Sequence, residues 1–221
     1  MPKLRACIVG HSFVRRLGED LCKGNHGEAP SPSTAADELF VNKQFNKIHI
    51  FGNESFLVKD LVKNICKAGK LRPDCVIIHC GSNDLCKKEC DVKKIVDGLV
   101  SFANFLRISY EVKHVSLLAV AGRTKCRDVS NATFRDRAET FNKQLKEAVE
   151  ASNHACRKKA TSFVYLKGFC CDKEGNELPV SVWSSDGIHP ATGSKRSQGM
   201  EKYRRLMRKS LLAGAGIVHK R

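Results

Sequence analysis

Four short stretches, far apart in the chain, hold side chains that together have the chemistry to cleave an ester. Gly10-His11-Ser12-Phe13 offers a hydroxyl, and Phe51-Gly52-Asn53 offers a glycine amide. Gly81-Ser82-Asn83-Asp84 offers a carboxamide, and Ser184-Ser185-Asp186-Gly187-Ile188-His189-Pro190 offers a carboxylate and an imidazole. A serine hydroxyl is a poor nucleophile at neutral pH and needs an imidazole within hydrogen-bond reach to take its proton. That imidazole needs an acceptor on its other nitrogen, which sets its tautomer and stabilises the imidazolium. The tetrahedral intermediate places negative charge on oxygen, so preorganised donors must point there. A backbone N–H at a strand-to-helix turn, a glycine N–H and an asparagine amide would be three such donors. The set works only if the fold brings all four stretches to one place.

The apolar pattern shows how that would happen. Short runs rich in β-branched residues occur at Leu4–Val9, Lys47–Phe51, Cys75–Cys80, His114–Val120 and Ser162–Leu166. Each suits a strand buried on both faces of a parallel sheet. Helical periodicity fills the gaps: Ser12–Lys23, Ser55–Lys67, Val92–Ile108, Phe134–Cys156 and Pro190–Leu212, the last with Pro190 in its first turn. Gly24–Thr34 and Cys170–Val180 read as loops. Strands alternating with helices give right-handed βαβ units. The expected fold is α/β, a doubly wound, flavodoxin-like three-layer α/β/α sandwich around five parallel strands, built as a single domain over residues 1–221. In such sheets ligands bind beyond the carboxyl ends of the strands. Three of the four stretches directly follow predicted strands, and the fourth lies before the last helix.

In that order the four stretches resemble the blocks of the SGNH-hydrolase family, also known as GDSL-like esterases and lipases. The resemblance spans residues 10–189. It implies that Ser12 is the nucleophile, His189 the base and Asp186 the residue that orients His189. It also implies an oxyanion hole made of the Ser12 amide, the Gly52 amide and the Asn83 side chain. The family usually has Asp before the serine, where this chain has His11. That position is not a triad member, although a histidine there could alter local charge or crowd the turn. The expected activity is hydrolysis of an acetyl or short acyl ester, small-molecule or polymer-linked, through an acyl-enzyme, with neither metal nor cofactor. The alternative is a module that keeps the fold without turnover and binds an anionic partner.

Composition narrows the rest. The 221 residues are 42% hydrophobic, enough for a core, and carry a net charge of +16. A charge excess attracts anions but leaves the fold open. Lys195, Arg196, Lys202, Arg204, Arg205, Arg208, Lys209, Lys220 and Arg221 crowd the C-terminal stretch. Most such helix faces are simply solvated, through side chains whose apolar stems pack while their charges stay in water. Phosphate contact with RNA or DNA is the functional alternative, and it would depend on salt. Domains of this family also occur in proteins of some LINE-type retrotransposons, which fits that alternative. Aromatic residues make up only 7% of the chain and no stacking platform is evident. Eleven cysteines with no secretion signal read as reduced, mostly buried thiols, and no spacing matches a zinc site. No apolar run is long enough to cross a membrane, so the expected location is cytosolic or nuclear. Among the other histidines, His49, His79 and His114 are expected in the core or at strand edges, with His79 the one that could line the site. Trp183 is expected to pack beside the last loop.

Overall fold

The computed structural model describes residues 3–22, 30–53, 57–61, 72–123, 125–126, 128–156, 160–166, 169, 182–186, 188–192 and 199–216. Five parallel strands form one sheet: β1 (Leu4–Gly10), β2 (Phe45–Gly52), β3 (Cys75–His79), β4 (His114–Leu118) and β5 (Thr161–Val164). Their spatial order is β2-β1-β3-β4-β5. The chain leaves β1 for β2 on one side and returns to β3 on the other, so β1 and β3 flank the switch point where the crossovers change direction. Register pairs Gly10 with Gly52 and with His79, which brings the ends of the first three strands level.

Helices cover both faces: α1 (Ser12–Leu21), α2 (Pro32–Glu38), α3 (Ser82–Leu85), α4 (Val92–Ser109), α5 (Asn131–Ala155) and α6 (Gly199–Gly214). Alternation along β1 sorts its side chains between two cores. Ala6 and Ile8 pack with Phe13, Leu17 and Met207 on the face of α1, α2 and α6. Cys7 and Val9 pack with Leu99, Leu106 and Phe141 on the face of α4 and α5. Burying a side chain such as Ile8 stabilises the fold by about 1.5–3 kcal/mol relative to leaving it exposed.

Several boundaries differ from the sequence reading. The loop expected over Gly24–Thr34 gives way to α2 from Pro32, because the Ser31 hydroxyl accepts the Thr34 amide and caps a helix there. Capping by Ser130 likewise starts α5 three residues early, at Asn131. Of the helix expected over Ser55–Lys67, Val58–Asp60 form a 3-10 turn, and residues 55–56 and 62–67 lie outside the described residues. The loop expected over Cys170–Val180 also lies outside them.

The largest correction concerns Pro190, which is not in the first turn of a helix. It forms an antiparallel bridge with Trp183, and the last helix is described over Gly199–Gly214. The Ala191 amide donates to Val182 and the Met200 amide to Ala191, so the chain folds back on itself before α6. Trp183 is buried there against Phe13 and Phe169. Among the described residues no helix is long and apolar enough to cross a membrane.

Candidate active site

Ser12 is the first residue of α1, and the residue capping that helix is His11. Its Nδ1 accepts the Phe13 amide at 3.4 Å, and its carbonyl accepts the Val14 and Arg15 amides. An aspartate at this position would cap in the same way, because an N-cap needs only an acceptor atom on a short side chain. His11 is fully buried. Its ring lies 4.4 Å from that of His79 and 5.2 Å from that of Phe13. Burial holds the His11 imidazole well below its ordinary pKa, aided by His79, Arg123 and His189. The ring must stay neutral, because protonation would remove the lone pair that caps α1.

His79 ends β3, fully buried, with Nδ1 2.7 Å from the Tyr203 hydroxyl. Burial, reinforced by Arg123, pushes its pKa down to about 3. His114 and His49 are partly buried strand residues, His114 bonded to Ser162 and His49 stacked parallel to Phe51.

The late loop is built around one carboxylate. Asp186 Oδ1 accepts the Ser184 hydroxyl at 2.6 Å, the Ile188 amide at 2.8 Å and the His189 amide at 2.9 Å. Oδ2 lies 2.6 Å from His189 Nδ1 and 3.5 Å from Arg16 Nη2. The Ser184 amide also bonds the His189 carbonyl and closes the loop. Burial raises the Asp186 carboxyl, but the Ser184 hydroxyl and the His189 and Ile188 donors outweigh it and hold the group well below the usual carboxylate range. An ionised carboxylate only accepts, so the His189 ring must donate from Nδ1 and keeps Nε2 as its basic atom.

Two observations tie this loop to the start of α1. Arg16, one turn after Ser12, reaches Asp186. The Phe13 and His189 rings are 6.3 Å apart.

Asn83 sits on α3, directly after β3. The turn depends on Gly81, whose φ of 112° is a left-handed conformation, and a Cβ there would lie 3.0 Å from Phe141 Cζ. Asn83 Oδ1 accepts from Arg123 Nη2 at 3.1 Å. Gly52 has a packing requirement of its own, since a Cβ on it would lie 2.0 Å from the Arg15 amide nitrogen. Only glycine lets α1 approach β2 so closely.

Sequence reading did not single out Arg123, Arg16 or Ser184 for the roles they occupy. Arg123 was within reach of the rule already applied, because it lies just beyond the carboxyl end of β4. The described cysteines hold no disulfide, and no cluster of three metal-ligating side chains occurs among the described residues. In the C-terminal cluster, Arg204 is held by Asp20 and Glu38 and Arg205 by Glu201. Lys195, Arg196, Lys220 and Arg221 lie outside the described residues, as does Gly187.

This architecture, with a serine at the first strand–helix turn and an Asp–His pair in a late return loop, is that of an α/β hydrolase of the SGNH type. Solved structures share the fold across nearly the whole chain. A GDSL-like lipase from Bacteroides thetaiotaomicron superposes with a TM-score of 0.63 at 17% identity, covering 96% of this chain and 87% of its own. An acetylxylan esterase from Geobacillus stearothermophilus gives 0.64 at 15% identity, covering 100% and 99%. An alpha/beta hydrolase from the Lake Arreo metagenome gives 0.63 at 16% identity, covering 98% and 97%. No curated protein sequence matches the chain. The chain belongs to the GDSL-like lipase/acylhydrolase family, whose model matches residues 35–198. It is therefore an ester hydrolase at the level of the family. The matched stretch contains Gly52, Asn83, Asp186 and His189 and begins after Ser12.

Proposed function

We propose that the protein hydrolyses a carboxylic ester with a small acyl group, using Ser12, His189 and Asp186. The observation that carries this reading is the Asp186–His189 pair at 2.6 Å, packed against the first turn of α1. In the proposed reaction His189 Nε2 takes the Ser12 proton as Oγ attacks the carbonyl carbon. Asp186 stabilises the imidazolium. The tetrahedral intermediate collapses, and the alcohol leaves with the proton from His189, leaving an acyl ester on Ser12. Water then attacks that ester, again giving its proton to His189, and the carboxylic acid departs as Ser12 regains its hydrogen. The oxyanion is held by the Ser12 amide, the Gly52 amide and Asn83. Capping by His11 uses the amides of Phe13, Val14 and Arg15 and does not engage that of Ser12.

Turnover of p-nitrophenyl acetate by the wild type and by Ser12→Ala tests this. The variant is expected to lose on the order of a thousandfold or more in kcat, because nucleophile and base act as a unit. Equal rates would end the proposal.

A second reading rests on a different surface. Phe40 is 69% exposed, and the Arg208 guanidinium lies 5.7 Å above its ring. We further propose that this pair, with Lys202 and Lys209 on the same helix, contacts single-stranded nucleic acid by stacking and phosphate attraction. Filter binding of a uridine oligonucleotide across a salt series is expected to show affinity falling with salt, and falling again in Phe40→Ala. No binding at low ionic strength, or binding indifferent to salt, refutes it.

A further inference from the structure

Asn83 can serve the oxyanion only if its NH2 group faces the reacting carbonyl. A carboxamide has two faces of similar shape and opposite polarity, so something must choose between them. The chooser has to be a group that cannot accept a hydrogen bond. Arg123 is such a group, because guanidinium carries donors only. Its Nη2 donates to Asn83 Oδ1 at 3.1 Å, and the same nitrogen donates to the Ser82 hydroxyl. Nη1 lies 3.2 Å from Cys86 Sγ, and the guanidinium carbon sits 5.5 Å above the centre of the Phe134 ring. These contacts fix both the place and the plane of the fork.

The backbone that carries Arg123 is held as firmly. The Ala119 amide donates to Val164. Asn142 clamps Val120 with both ends of its side-chain amide, at 2.7 and 3.0 Å. The Gly122 amide donates to Phe169. A loop anchored at three successive points can hold one side chain against another more accurately than a free loop.

We propose that Arg123 is a positioning residue that turns the Asn83 carbonyl away from the substrate and so presents the Asn83 NH2 to the oxyanion. This inference rests on the ester-hydrolase reading above. Arg123 contacts Ser82, Asn83, Cys86 and Phe134 rather than Ser12 or His189, so its effect on turnover passes through Asn83. Its charge also helps keep His11 and His79 neutral beneath the nucleophile.

The test is a double-variant cycle on p-nitrophenyl acetate turnover, with Ser12→Ala as the control. Asn83→Ala is expected to lower kcat about 100- to 1000-fold, the usual effect of losing one oxyanion donor. Arg123→Met is expected to lower kcat about 10- to 100-fold through misplacement of that donor, with KM changed less than about threefold. The combined variant is expected to be no slower than Asn83→Ala alone, within about twofold, because one effect acts through the other. Arg123→Lys keeps the charge and one donor but not the fork, and should fall between wild type and Arg123→Met. It also serves as the test if Arg123→Met does not fold. Multiplying effects in the combined variant would overturn the inference, as would an Arg123→Lys variant as slow as Arg123→Met, or a loss confined to KM. If Ser12→Ala itself keeps full activity, the parent reading fails instead, and the two failures are told apart.

Discussion

Two imidazoles buried without charge should make the fold sensitive to mild acid. In the unfolded chain His11 and His79 each take up a proton near pH 6.5, the ordinary value. In the folded protein His79 does so only near pH 3, and His11 is likewise held well below 6.5. Between these limits the unfolded state binds more protons, so stability rises with pH and is lost as pH falls below 6.5. Each histidine contributes about 1.36 kcal/mol per pH unit once well below that value. From pH 7 to pH 5 His79 alone removes about 2 kcal/mol, a sizeable share of the roughly 5–15 kcal/mol of a typical domain, and His11 acts in the same direction. His49 and His114, both lowered by burial, act in the same direction. Asp20, raised by burial, opposes them. Asp186 is held low and contributes its loss only below the carboxylate range, outside this window. Urea unfolding followed by circular dichroism is the assay. With a slope near 2 kcal/mol/M, the midpoint should drop by at least about 1 M between pH 7 and pH 5. His79→Leu removes one of the two groups, so it should be less stable at pH 7 and show a weaker pH dependence. A midpoint that does not move from pH 7 to pH 5, or a His79→Leu variant with undiminished pH dependence, would refute the reasoning.

Three further outcomes are expected. Gly52→Ala must open a 2.0 Å approach to the Arg15 nitrogen to an ordinary 3.4 Å, so α1 shifts by about 1.4 Å. This should cost about 1–3 kcal/mol in a urea titration and roughly 100-fold in kcat. Asp186→Asn should fold, yet lose about 10⁴-fold in kcat, because a carboxamide no longer enforces the Nδ1–H tautomer of His189. Burial pushes the Cys7 and Cys75 thiols up to about 12, whereas Cys156 is exposed. Peptide mapping after iodoacetamide treatment at pH 8 should therefore find Cys156 modified, with Cys7 and Cys75 protected until urea is added.

Much of the architecture was legible in the chain. Runs such as CVIIHC at Cys75–Cys80 can bury both faces only in a parallel sheet, and the strand ends then mark where chemistry collects. That logic pointed to Ser12, Gly52 and Asn83 at the strand ends, while the Asp186–His189 stretch stood out by its own residue types ahead of the last helix. Boundaries were less legible because capping decides them locally: Ser31 and Ser130 each began a helix that apolar periodicity alone did not locate. Pro190 misled because its fixed φ suits a helix start and a bridge residue equally well.

From its residues alone the chain specifies a parallel α/β sandwich and the types of group at its edge, since strand burial and hydroxyl, amide, carboxylate and imidazole chemistry are local properties. Tertiary packing decided the rest. That the His11 ring is buried against His79, that Gly52 must lack a side chain, and that Arg123 donates to Asn83 all depend on segments tens of residues apart coming within a few ångströms. No pattern along a chain encodes which way an amide faces; the donor placed against it does.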